Sequence, residues 1–129
     1  MGRLSFPLPP KSLKANAKYA GHWSSGQAEK VAYGEACRAI IRVYAWGPDE
    51  PGPVPLAMVA YCPKGMRLPD LSDLGAWGKK ALDVMVEEGV FLNDSPAHLA
   101  PFHAMAFRDD RNCLGVYWGQ AAREEVATW

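Results

Sequence analysis

Asp70, Asp73 and Asp94, with Lys79 between them, are the residues of this chain whose types and spacing suit chemistry. They stand in Asp70-Leu71-Ser72-Asp73-Leu74, then Lys79, then Asp83, then Asn93-Asp94-Ser95. Asp70, Asp73 and Lys79 fall at or near the start of one predicted helix, and Asp94 falls just after that helix ends. Carboxylates gathered from the two ends of a helix, beside one lysine, suit a hard divalent ion and a phosphodiester. Mg²⁺ takes one or two carboxylates and completes its octahedron with water and phosphate oxygens. It can lower the pKa of bound water and stabilise charge on the phosphate. Lys79 would act there as a point charge, and Asp83, one turn on, is placed to pair with it. The same acids also have structural readings. Asp and Ser cap helix N-termini and suit the positive end of the dipole, and Asp94 before Ser95-Pro96 would start a turn.

The helix that positions these residues runs from about Ser72 to Glu88. Leu74, Trp77, Ala81, Leu82 and Met85 form its apolar stripe. Ser72 is its expected N-cap and Gly89 its stop. Earlier in the chain, Leu4 to Leu8 reads as a short edge strand, because Pro7 cannot donate to a ladder. Residues 9–26 read as a long loop, a length associated with function. Residues 27–46 read as a helix with Tyr33, Ala36, Cys37, Ile40 and Tyr44 on one face. The turn-rich Gly47–Pro53 stops it. Val54 to Cys62 is an apolar run bounded by prolines, which predicts a buried strand. His98–Arg108 and Asn112–Trp118 read as two strands, with Asp109-Asp110-Arg111 as a hairpin turn. Gln120–Trp129 is a short helix or tail. The order β-α-β-α-β-β-α predicts an α+β fold, with a small mixed sheet of about four strands packed with two main helices. The length of 129 residues fits a single domain, 1–129.

Lysine plus arginine and aspartate plus glutamate number 14 each, so net charge gives no global support for nucleic-acid binding. The distribution says more. Residues 1–18 carry Arg3, Lys11, Lys14 and Lys18 with no acid, and Lys64 to Arg67 is also basic. Glu87-Glu88 and Glu124-Glu125 are acidic spots. Lys11, Lys14, Asn16, Lys18, Trp23, Lys64 and Arg67 are the candidate DNA contacts, against the simpler readings of solvated charge and, for Trp23, core packing. Trp77 and Trp118 are expected in the core. Met66 and Leu68, flanking Arg67, are candidates for insertion into an opened junction. The three cysteines are widely spaced with no CxxC pair, which points to buried free thiols and not to zinc. His22, His98 and His103 are too scattered for a metal triad. No apolar run reaches membrane-spanning length, and Met1–Pro10 is too short and proline-rich for a signal peptide, so a cytoplasmic location without a membrane is expected.

Two blocks in order carry a resemblance. The first is Leu8-Pro9-Pro10-Lys11-Ser12-Leu13-Lys14-Ala15-Asn16-Ala17-Lys18-Tyr19, followed by a helix with Glu29, Tyr33 and Arg38. The second is Pro69-Asp70-Leu71-Ser72-Asp73-Leu74, Lys79, Leu82-Asp83 and Glu88-Gly89-Val90-Phe91-Leu92-Asn93-Asp94-Ser95. Together they resemble the RusA family of Holliday junction resolvases, over roughly residues 5–118. That family shows a P-P-x-S-x-N-x-x-Y opening, a D-x-D-N-L or D-x-S-N-L box, a lysine, a D-A/G-L stretch, a glycine and a D-D turn. The resemblance implies a homodimeric, Mg²⁺-dependent endonuclease (with Mn²⁺ as the other candidate ion) acting on four-way DNA junctions in a bacterial host cell, encoded by a phage or prophage. It implies metal ligands at Asp70 and Asp94 and a phosphate-binding, catalytic Lys79. Ser72 stands where the family has its second acid, and Asp73 where it has asparagine. Asp73 is therefore the candidate third metal carboxylate and catalytic acid. A second register aligns Asp73 with the first acid and Gly75 with the second, and it also keeps Lys79 and Asp94. Two other readings stay open: a junction-binding protein of the same fold with little or no activity, and a small phage protein without a DNA role.

Overall fold

Val54 to Cys62 forms strand β2, and all nine of its residues are buried. A near-continuous apolar run is what a strand covered on both faces requires. A computed structural model gives the fold; it describes residues 2–10, 23–44, 47, 52–93 and 95–129, and of residues 23–25 the backbone alone. The remaining elements are β1 (Arg3–Phe6), α1 (Trp23–Tyr44), α2 (Leu71–Glu87), β3 (Leu99–Arg108), β4 (Cys113–Trp118) and α3 (Gln120–Ala127). The class is α+β, in the order the sequence predicts.

The four strands lie in the order β1-β4-β2-β3. β2 is parallel to β3, from Val54↔Leu99 to Cys62↔Arg108, and antiparallel to β4. The parallel pair needs a long crossover, which α2 and its loops supply. β3 and β4 therefore do not form the expected hairpin. They flank β2, and residues 109–112 step over its end, where Asp109 N–H donates to Cys62 O at 2.9 Å. Two strands adjacent in sequence look like a hairpin unless a third strand is known to lie between them. Asn112 turns the chain with φ +49°, a conformation asparagine tolerates.

α1 and α2 cover one face of the sheet. Leu56, Met58, Ala60 and Cys62 of β2 meet Tyr33, Cys37 and Ile41 of α1 and Leu74, Trp77, Ala81, Val84 and Met85 of α2. α3 covers the other face, where Ala122 packs with Ala57, Val59, Tyr61 and Tyr117. Trp77 and Trp118 are core residues, as expected. The buried stripe of α1 is Tyr33-Cys37-Ile41; Ala36 and Tyr44 of the predicted face are exposed. α1 also begins at Trp23, so residues 23–26 of the predicted loop are helical. Gly78 lets α2 approach β3 closely, since a Cβ there would lie 3.0 Å from Phe102 Cζ. Gly89, with φ +79°, ends that helical segment.

The acidic pair at the C-terminus of α2 opposes the helix dipole. α1 neutralises it. Arg38 pairs with Glu87 and, at 3.7 Å, with Glu88, and Arg42 reaches Glu88 at 2.9 Å.

At the β3–β4 step, hydrogen bonds from the Arg111 guanidinium and backbone amide hold the Asp109 carboxyl down to about 2. The folded pKa lies below the unfolded one. This contact therefore favours the fold above the ordinary carboxylate pKa of about 4, and is lost as pH falls from about 4 to about 2. Arg111→Ala is expected to return the Asp109 carboxyl toward its ordinary value, read by NMR titration of that carboxyl. An unchanged titration would show that Arg111 is not the cause.

Candidate functional site

Asp70 caps α2. Its backbone is extended (φ −85°, ψ −179°), and its Oδ1 accepts from Asp73 N–H at 2.9 Å. Ser72, the expected cap, lies instead in the first turn and is exposed. Asp70 holds extended backbone just before the helix, and its carboxylate reaches the third amide of the helix in the usual capping geometry. The bond is to the Asp73 backbone amide, and it leaves both residues within the cap and first turn, at the positive end of the dipole, where carboxylates are favoured. Asp70 Oδ2 takes no hydrogen bond or ion pair among the described residues. Lys64 and Arg67, both exposed, lie in the loop leading into the cap. Arg108 holds that loop, donating to Pro63 O at 3.0 Å and to Met66 O. Met66 packs against the core and Leu68 is exposed.

Lys79 is exposed and pairs with Asp83 at 3.6 Å. It lies nine residues along α2 from the cap, about 13 Å at 1.5 Å per residue. It is not in contact with Asp70 or Asp73. Lys80, its neighbour, is partly buried and turned toward Gly34 of α1.

Asn93 and Ser95 lie beyond the other end of α2, and Asp94 between them is outside the described residues. Asn93 Oδ1 accepts from Ser95 N–H at 2.8 Å, and Ser95 Oγ lies 3.2 Å from His98 Nδ1. Ser95 O accepts from His98 and Leu99 N–H, at the start of β3. The 17 residues of α2 span about 25 Å. Gly78 sits between the ends, against mid-sheet Phe102 and Met58. One copy of the chain thus keeps Asp70 and Asp73 apart from Asn93 and Ser95. Among the described residues no three His, Cys, Asp or Glu side chains are grouped to hold a metal. Lys11, Lys14, Asn16 and Lys18 are outside the described residues, and Trp23 is described by its backbone only, as the first residue of α1.

Two leucines escape a reading aimed at charge. Leu71 and Leu92 are exposed beside the two acidic ends of α2, as is Leu68, the insertion candidate beside Arg67. Their signal in the sequence is position: each adjoins the acidic motifs and lies off the apolar stripe. Burial raises the Cys37 thiol to about 11, away from the thiolate form that reacts.

The cap carries oxygen ligands of the type a hard cation takes. It offers a carboxylate oxygen on Asp70 and a second carboxylate on Asp73, the oxygen ligands Mg²⁺ prefers. Among the described residues, no helix is long and apolar enough to cross a membrane. No protein-family model matches the chain, and no curated protein matches it.

Asp70→Ala is expected to cost about 1 kcal/mol of stability through loss of the cap, and Asp70→Asn only a few tenths, because asparagine caps equally well. Urea unfolding of both variants checks this. Equal losses would show that the charge, not the cap bond, matters to the fold.

Proposed function

We propose that this chain is a Mg²⁺-dependent endonuclease of four-way DNA junctions that works as a homodimer. The observation that supports the reading most is the placement of Asp70 and Asp73 together at the α2 N-terminus, with Asp70 Oδ2 unbonded among the described residues. The separation of the α2 ends gives the dimer a purpose. Asp70 and Asp73 of one copy would share an ion with Asp94 of the other, so that two equivalent sites form across a two-fold axis. When bound, the ion would supply Lewis-acid stabilisation of the phosphate and a more acidic water. Asp73 would replace the acid missing at Ser72. Lys79, some 13 Å along the helix, would anchor a phosphate of the bound strand. Lys11, Lys14 and Lys18, with Lys64 and Arg67, would hold flanking phosphates.

Asp70→Asn and Asp94→Asn are each expected to fold, bind synthetic junctions and fail to cut them. Mixed and allowed to exchange subunits, the two are expected to regain roughly a quarter of the working sites, because half the dimers are mixed and each of those holds one intact site of two. A mixture that stays inactive despite exchange would overturn the shared site. Absence of divalent-dependent cleavage by the unaltered chain would overturn the nuclease reading itself.

Changing Lys11, Lys14 and Lys18 together to Ala is expected to weaken junction binding and lower its log–log salt slope by up to about three. Filter binding over a salt series measures this. An unchanged slope would place those lysines away from the DNA.

A further inference from the structure

β3 ends at Arg108, which lies in register with Cys62 at the end of β2. From there the side chain reaches the loop that leads into α2. Its Nη1 donates to Pro63 O at 3.0 Å and to Met66 O. Those two carbonyls bracket a turn. Met66 N–H donates to Pro63 O at 3.2 Å. Gly65, third in the turn, has φ +91°, the left-handed backbone that this position of a type II turn needs. Lys64 is second in the turn and Arg67 follows it, both exposed. A short run from there reaches the Asp70 cap.

The bonding of Arg108 leaves part of it unused. Nη1 is spent on the turn carbonyls. Nε and Nη2 have no hydrogen bond or ion pair among the described residues. That edge of a guanidinium is a fork that grips a phosphate through two parallel bonds. Among the described residues no acid pairs with Arg108, Lys64 or Arg67. Asp109, next in the chain, is held by Arg111 at 2.8 Å. Neutral carbonyls fix the guanidinium in place and leave its positive charge whole. A ladder position at one end and the turn at the other restrict the side chain before any ligand arrives, which lowers the ordering cost of binding.

We propose that Arg108 binds a DNA phosphate through its Nε–Nη2 edge, with Lys64 and Arg67 beside it, so that the end of β3 and the 63–67 turn form one phosphodiester site on the flank of the α2 cap. The site rests on the proposed DNA binding, and not on a metal or on cleavage. Nothing local marks Arg108, the last residue of an otherwise uncharged strand, as a binding residue; the turn it holds does.

Binding of a synthetic four-way junction in EDTA, over a salt series, tests the site without cleavage. Arg108→Gln keeps N–H donors for the turn and loses the charge; it is expected to lower the log–log salt slope by about one. Arg108→Lys keeps the charge and loses the fork; it is expected to keep the slope and weaken binding roughly fivefold. In a chain already carrying Lys64→Ala and Arg67→Ala, Arg108→Gln is expected to lower the slope by about one more. A residue that acted only by holding the loop would change nothing in that background. A further readout needs no variant of Arg108's neighbours or of the fold: on the unaltered chain, the Arg108 Nε–H resonance is expected to shift when the junction is added. An unmoved Nε–H, an Arg108→Lys chain that binds as tightly as the unaltered one, no further loss in the double-alanine background, or an unaltered chain that does not bind the junction would each overturn the proposal. A chain that binds as expected and never cuts when Mg²⁺ is added leaves this site standing and overturns the nuclease reading alone.

Discussion

The fold depends on satisfying β2 in every direction. Its nine residues are buried, so each backbone group needs a ladder partner and each side chain an apolar neighbour. β3 and β4 supply the two ladders. α1 and α2 supply one apolar face, and α3 supplies the other. Because the strand after α2 joins β2 in parallel, the chain has to cross the end of β2 to reach its other edge. The Asp109–Cys62 hydrogen bond at that crossing satisfies the last carbonyl of the strand. Below it, Tyr61 bonds to Tyr117 at 2.9 Å and to Glu125 at 3.0 Å, so that these two tyrosine hydroxyls on the α3 side also find partners. Arg111 lies 3.6 Å over the Tyr61 ring and ties the crossing to that network.

How much of this is legible in the sequence depends on how far the deciding contact lies along the chain. β2 reads correctly to the residue, because an apolar run between prolines is a local property. So does the α2 stripe through Leu74, Trp77, Ala81 and Met85. The start of α1 does not. Ser24-Ser25-Gly26 has the composition of a loop, yet it is helical and continues into a helix anchored by Tyr33, whose hydroxyl donates to Pro7 O at 2.6 Å. The face of α1 slips for a related reason: Ala36 and Tyr44 suit either surface or core, and only the packing against β2 selects Ile41. The false hairpin at Asp109–Arg111 is the plainest case. Nothing in residues 98–118 records that β2 lies between the two strands.

The candidate site shows the same division. The Asp70–Asp73 contact is local, three residues apart, and its capping chemistry is written in the sequence even though Ser72 looks equally suitable. The relation of either acid to Asn93-Asp94-Ser95 is not local. A hydrogen-bonded helix is stiff, and α2 places about 25 Å between its ends. Residues that read as one constellation in a linear motif therefore fall, among the described residues, into two separate groups in one copy of the chain. On the proposed reading, the second copy is part of the chemistry.

A net charge of zero does not by itself set the field beside α2, because contact pairs take out acids and cations in equal number. Among the described residues Glu87 and Glu88 are matched by Arg38 and Arg42, Asp109 by Arg111, and Asp83 by Lys79. At physiological salt a phosphate senses charges within about 8 Å, so acids and cations paired by contact both count little toward the field it meets, and the unpaired charges near it decide. What remains beside α2's first turn is Asp70 and Asp73, with Lys64 and Arg67 leading into it. Two carboxylates together repel a phosphodiester, and the neighbouring cations attract it to the flank. A divalent ion between them reverses the sign at the centre only. On the proposed function, strand and metal therefore bind with positive coupling: the basic loop delivers the backbone, and the ion converts the acids from a barrier to the phosphate into its ligand.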